Sequence, residues 1–133
     1  MKKLVIDATV ENLSAVLDFI NKELEERECP LKLQTQINIA AEEVFINIAN
    51  YAYTPEIGSV SVGIAVDNKI SIEFEDSGIP YNPLEKPDPE ITSSASEREV
   101  GGLGIFMVKK IMDSVEYSRE GSKNILTIQK AIT

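Results

Sequence analysis

Apolar positions along this chain switch between helical and strand spacing, and each switch marks an element. Leu4, Val5 and Ile6, followed by the turn-prone Asp7-Ala8-Thr9, predict a short first strand over Lys2 to Ala8, with Thr9 capping the helix behind it. From Glu11, the residues Leu13, Val16, Leu17, Ile20 and Leu24 recur at helical spacing while charges fill the other face down to Glu28. Pro30 is expected to end that helix. A second helix is predicted from about Lys32 to Tyr53, broken by Thr54-Pro55-Glu56-Ile57-Gly58. Val60, Val62, Ile64 and Val66 then alternate with smaller or polar residues, Asp67-Asn68 turns the chain, and Ile70, Ile72 and Phe74 alternate again. This is the signature of an antiparallel hairpin that delivers Asp76 to a loop. A third helix opens at Gly101-Gly-Leu-Gly104, with Ile105, Val108, Ile111 and Met112 inward. Two last strands, Ser114 to Glu120 and Asn124 to Lys130, meet at Gly121-Ser122-Lys123. Nothing repeats internally.

The second helix carries more than a core face. At about 100° per residue, with Glu43 as zero, Gln36, Asn47 and Asn50 fall within about 40°, whereas Ile37, Ala41, Val44, Phe45, Ile48 and Ala52 lie about 100° to 200° away. One side is oily and the other is a carboxamide-rich stripe with a single carboxylate, either a solvated face or the wall of a site. Four residues apart, Glu43 can act on a proton while Asn47 offers a carbonyl oxygen to a hard metal ion. Tyr51 lies at the border of the two sides, where packing and ligand contact are both open.

Composition narrows the chemistry. The chain has 133 residues, 43% of them hydrophobic, which suits one domain with a real core. No apolar run reaches the roughly 18 to 20 residues of a membrane span, and the charges of Met1-Lys-Lys-Leu-Val-Ile-Asp7 interrupt a signal-peptide pattern, so no membrane association and a cytoplasmic location are expected. A formal charge of -9 argues against direct nucleic-acid binding. With no histidine and a single cysteine, there is no common zinc set and no internal disulfide, and proton chemistry falls to a carboxylate. Cys29 reads as an ordinary half-buried thiol.

Two further motifs follow the Glu43–Asn47 pair. Asp76-Ser-Gly78 places a carboxylate, an acceptor for an exocyclic amine, two residues before a glycine that lets backbone approach a flat base. Alone it is a common turn. Gly101, Gly102 and Gly104 precede a helix, so free amides and the helix dipole can face an anion, or the glycines simply cap the helix. Their spacing is neither the Rossmann nor the Walker pattern. Between these motifs, residues 81 to 100 hold Pro83, Pro87, Pro89 and a Thr-Ser-Ser-Ala-Ser run without periodicity. They form a lid over the site or an insertion, and the position between two nucleotide motifs favours the lid. Arg98 in that segment is either a phosphate contact on closure or a solvated arginine.

In this order the motifs resemble the N, G1 and G2 boxes of the ATPase/kinase superfamily that includes the sensor histidine kinases, gyrase B and MutL, over about Gln36 to Leu126. Asp76-Ser-Gly-Ile-Pro-Tyr-Asn-Pro83 and Gly101-Gly-Leu-Gly-Ile-Phe106 look like the stand-alone anti-sigma-factor serine/threonine kinases. The resemblance implies an α/β (α+β) two-layer sandwich of the Bergerat type, a mostly antiparallel mixed sheet covered on one face by helices. It implies that Asn47 coordinates Mg²⁺ on the phosphates of ATP, that Glu43 is the general base, and that Asp76 binds the adenine amine. Gly78 would line the base pocket, and Gly101, Gly102, Leu103 and Gly104 would cradle the phosphates. Its partners would be a STAS-domain anti-sigma-factor antagonist, a sigma factor, and a second copy in a homodimer, for which the first strand is a candidate edge.

The chain also departs from that pattern. Asn50-Tyr51-Ala52 stands where many relatives carry a His-Gly pair, with Asn50 at a position that is usually basic in histidine kinases, and the first helix has no arginine before Arg27. Two other functions stay open: an ATP-dependent binding module without catalysis, and a detached catalytic domain of a histidine kinase.

Overall fold

The structure, a computed structural model, describes residues 1–52, 57–85 and 102–132, with their side chains except at 102 and 103. Five strands, β1 (Lys2–Asp7), β2 (Ser59–Val66), β3 (Lys69–Asp76), β4 (Ser114–Glu120) and β5 (Lys123–Ala131), form a sheet of order β1-β2-β3-β5-β4. Every pairing is antiparallel, so the sheet is not mixed as expected. Among the described residues there are three α-helices, α1 (Leu13–Glu26), α2 (Leu31–Tyr51) and α3 (Gly102–Ile111).

The alternation in the sequence builds the layers. Val62, Phe74 and Leu126 stand opposite one another across β2, β3 and β5, and so do Ile64, Ile72 and Ile128. All six are buried, in one cluster with Val16, Ile20 and Leu24 of α1 and with Ile37, Val44, Phe45 and Ile48 of α2. Side chains along a strand alternate between faces, so the pattern that buries Ile70, Ile72 and Phe74 also sends Asp76 to the helix side, where it is only 6% exposed. The strand thus carries a carboxylate to the end of an apolar layer.

Several boundaries differ from expectation. A 3₁₀ turn, Val10–Asn12, precedes α1, and the Thr9 hydroxyl makes no capping bond; its carbonyl accepts from Asn12 N–H at 3.0 Å instead. Pro30 does not end the first helix. That helix stops at Glu26, and Glu28 adopts a left-handed conformation with φ 55°. Cys29 N–H donates to Leu24 O and Glu28 N–H to Glu25 O, both at 3.0 Å, a Schellman closure achieved without glycine. Pro30, with φ -57°, instead stands at the N-cap of α2, its carbonyl accepting from Gln34 N–H at 3.0 Å; the last helical residue is Tyr51, while Tyr53 lies outside the described residues. Cys29 is buried rather than half-buried, and burial pushes its thiol pKa up.

The first strand is an edge of the sheet, as expected. Buried Glu23 ties it to α1: Lys2 Nζ lies 2.8 Å from Glu23 Oε2, and Arg27 Nε donates to Oε1 at 3.1 Å. The hydrogen bond from Lys2, helped by that from Arg27, holds this carboxyl below the usual range. Among the described residues no helix is long and apolar enough to cross a membrane.

Candidate functional site

Helix α2 is the spine of the site, because its successive turns meet three different parts of the chain. Glu43 meets α3. A β carbon at Gly104 would overlap Glu43 Oε2 and lie 3.0 Å from Cδ, so α3 begins against this carboxylate, whose flexible end would have to move aside for any larger residue. Burial pushes the Glu43 pKa up, and the charge of neighbouring Glu42 adds to the effect.

One turn on, Asn47 is 7% exposed and lines a small pocket. Its Oδ1 is the buried side-chain oxygen or nitrogen that lacks a hydrogen-bond partner among the described residues. Leaving such an atom unsatisfied costs about 1–3 kcal/mol, and active sites are where that cost recurs. Asp76 lines the same pocket, with Val44 and Ile48 of α2, Tyr81 and Pro83 of the following loop, and Leu126 of β5 supplying walls.

At its last turn α2 meets the Asp76 loop. A β carbon on Gly78 would overlap the Ala52 carbonyl oxygen and lie 2.8 Å from Ala52 C and Cβ, while Ile79 N–H donates to that carbonyl at 3.1 Å. The backbone just past α2 therefore requires glycine here, a demand separate from the room for a base expected from the sequence. Backbone cannot yield as a side chain can. Gly78→Ala is accordingly expected to cost about 1–3 kcal/mol of stability, read from urea denaturation, and an unchanged midpoint would show that the loop has room to move.

Among the described residues the Asp76 carboxylate is held through one oxygen. Oδ1 accepts from Gly78 N–H at 2.9 Å and from Asn124 Nδ2 at 3.0 Å, while the carboxylate lines the pocket that a donor would enter. Asn124, Tyr117 and Arg119 are functional neighbours that the sequence reading missed. They lie on the last hairpin, more than 40 residues from Asp76, in no local motif. The available signal was the strand register, in which Asn124 stands directly opposite Asp76. Arg119 Nη1 donates to Gly78 O at 2.9 Å and braces the loop from β4.

The remaining candidates divide. Tyr51 stacks on Tyr81, with ring centroids 5.7 Å apart and planes at 25°, so it packs against the loop that closes the pocket. Asn50 is exposed and is not among the pocket-lining residues. Gly102 and Leu103 open α3, and Gly104 is buried. Gly101 and Arg98 lie outside the described residues, as does the expected lid beyond residue 85. The part that is described makes one 3₁₀ turn, Pro83–Glu85, and inserts Pro83 into the pocket wall.

Residues 6–130 match the family described as the histidine kinase-like ATPase domain. The chain is 24% identical over 99 residues to the serine/threonine-protein kinase BtrW of Bordetella bronchiseptica, covering 73% of this chain and 70% of that one. It is 31% identical over 98 residues to an anti-sigma F factor of Clostridium perfringens, covering 72% and 70%. Among solved structures, the RsbU and RsbW domains of a Mycobacterium tuberculosis protein superpose with a TM-score of 0.65 at 16% identity, covering 98% of this chain and 32% of that one. The histidine kinase domain of a blue-light-activated kinase from Erythrobacter litoralis gives 0.58 at 18% identity, over 92% and 60%. Identities this low show a shared fold.

Proposed function

The chain belongs to the histidine kinase-like ATPase domain family, and from that premise we propose that it binds ATP with Mg²⁺ and transfers the γ-phosphoryl group to a serine or threonine of a partner protein. The observation that carries this reading is the unpartnered Asn47 Oδ1, buried in the same pocket that Asp76 bounds. An amide oxygen is a fitting ligand for a hard cation. Among the described residues no group of three or more His, Cys, Asp or Glu gathers to cage a metal, so the cation would draw its other ligands from phosphate and water. Bound there, Mg²⁺ neutralises phosphate charge.

The protein supplies the rest. Asp76 accepts the exocyclic amine of adenine, and the amides that open α3, with the helix dipole, favour the phosphates, joined by those at Gly101. Arg98 is proposed to approach them from the 81–100 segment acting as a lid. Glu43 takes the proton of the substrate hydroxyl, whose oxygen bonds to the γ-phosphorus as the bond to the β-phosphate oxygen breaks and ADP leaves. A raised carboxylate pKa suits that task.

The relatives named anti-sigma F factor and serine/threonine-protein kinase support the two halves of a partner-switching cycle. In that cycle the protein holds a sigma factor, or phosphorylates a STAS-type antagonist of the anti-sigma factor. The β1 edge is the proposed homodimer contact. The test is incubation with radiolabelled ATP, Mg²⁺ and the antagonist, with phosphoserine or phosphothreonine in the antagonist as the expected product. ATP binding without either product would leave a non-catalytic binding regulator.

A further inference from the structure

We propose that Asn124, oriented by Tyr117, is the positioning residue that makes this pocket select a 6-aminopurine over a 6-oxopurine; the proposal rests on the reading of Asp76 as the acceptor for the purine amine. A carboxylate at a strand end discriminates between these bases only if it stays an acceptor and keeps one oxygen turned to the pocket. Left alone it can rotate. Asn124 opposes this. Its Nδ2 donates to Asp76 Oδ1 at 3.0 Å, beside the Gly78 N–H at 2.9 Å, and two donors on one oxygen fix the plane of the carboxylate. Asn124 and Asp76 are 5% and 6% exposed, so water does not compete for these bonds as it would at the surface.

The direction of the carboxamide is itself determined by its surroundings. Nδ2 also donates to Ile79 O at 2.8 Å, while Oδ1 accepts from the Tyr117 hydroxyl and, at 3.4 Å, from Tyr81 N–H. Turned over, the amide would set its oxygen against two acceptors, Asp76 Oδ1 and Ile79 O, and its NH₂ against the Tyr81 N–H. Tyr117 on β4 therefore keys Asn124 on β5, which keys Asp76 on β3. The three side chains pass one polarity across three strands, and the pocket receives it as a fixed acceptor. A 6-amino group meets that acceptor with a donor. A 6-oxo group meets it with another acceptor and is rejected.

The test compares equilibrium binding of ATP and inosine triphosphate, each with Mg²⁺, to the full chain and its variants by calorimetry, with urea denaturation of each variant alongside. The wild type is expected to prefer ATP on the order of 10²-fold. Asn124→Asp replaces the donor with a second carboxylate, which removes the bond that fixes the plane of Asp76 and lets its pocket-facing oxygen turn away. The preference should then fall at least about tenfold, through weaker binding of ATP. Tyr117→Phe releases the carboxamide and should lower the preference about threefold with the fold intact, and it decides the matter alone if the Asp variant does not fold. A merely structural role would weaken both nucleotides alike, and an unchanged ratio in folded variants overturns the proposal. A wild type without preference for ATP would instead remove the reading of Asp76, and this inference with it.

Discussion

Replacing Glu43 with Gln should lower phosphotransfer to the antagonist by about 10²–10⁴-fold, the range of a general base, while ATP affinity stays within about threefold of wild type. Gln matches Glu in size and fits the same space beside Gly104, so only the proton acceptor is lost. The pH dependence gives a second readout. Burial, then Glu42, raises the Glu43 pKa above 4.5, so the acid limb of kcat/KM should lie above that value and vanish in the variant. Stability follows the same sign. A carboxylate whose pKa is raised in the folded state destabilises the fold only when ionised, a penalty absent below the unfolded pKa and complete above the folded one. The Gln variant should therefore be no less stable than wild type near pH 7, and any advantage should disappear in acid. Phosphotransfer near the wild-type rate would end the role of Glu43 as base.

Features carried by periodicity were legible in the sequence. The oily side of α2 was read as Ile37, Ala41, Val44, Phe45, Ile48 and Ala52, and all of these are buried. The β2–β3 hairpin and the delivery of Asp76 followed from alternation, since a period of two leaves little freedom in which face a residue takes. What failed was decided by competing local bonds. Pro30 looked like the helix stop, yet Glu28 had already turned the chain, with its N–H bonded to Glu25 O and that of Cys29 to Leu24 O, bonds that no side-chain pattern announces. Thr9 had the right identity for a cap, yet neither its side chain nor that of Asn12 before α1 caps a helix; Asn12 Nδ2 instead donates back to Asp7 O at 2.9 Å.

In the candidate site, Asn47 and Asp76 could be nominated from residue type and spacing, and both line the pocket. Their supports could not be nominated in this way. Asn124 and Tyr117 become neighbours of Asp76 only when β5 pairs with β3 and β4, and the need for Gly78 arises only from a backbone carbonyl on another element. Contacts of that kind depend on the assembled sheet and leave no trace in a local window.

The second large effect separates function from stability. Asn47→Leu should weaken Mg²⁺-dependent ATP binding by about 100-fold or more, since a direct ligand contributes at least as much as the outer-shell partners of a metal. The same change should raise the stability of the protein without nucleotide by about 1–2 kcal/mol, because it removes a buried oxygen with no partner and fills the space with a side chain of similar size. An ordinary core asparagine would behave in the opposite way, since its loss would strand the groups bonded to it and lower stability. Metal removal completes the argument. With a chelator present, wild-type affinity for ATP should fall to that of the Leu variant, and the variant itself should not respond. If the Leu variant binds Mg-ATP like wild type, the oxygen of Asn47 is not a metal ligand. If its denaturation midpoint drops instead of rising, the oxygen was never without a partner in solution. Gain of stability together with loss of metal-dependent binding is the result that a side chain kept for a ligand, at the expense of the fold, must give.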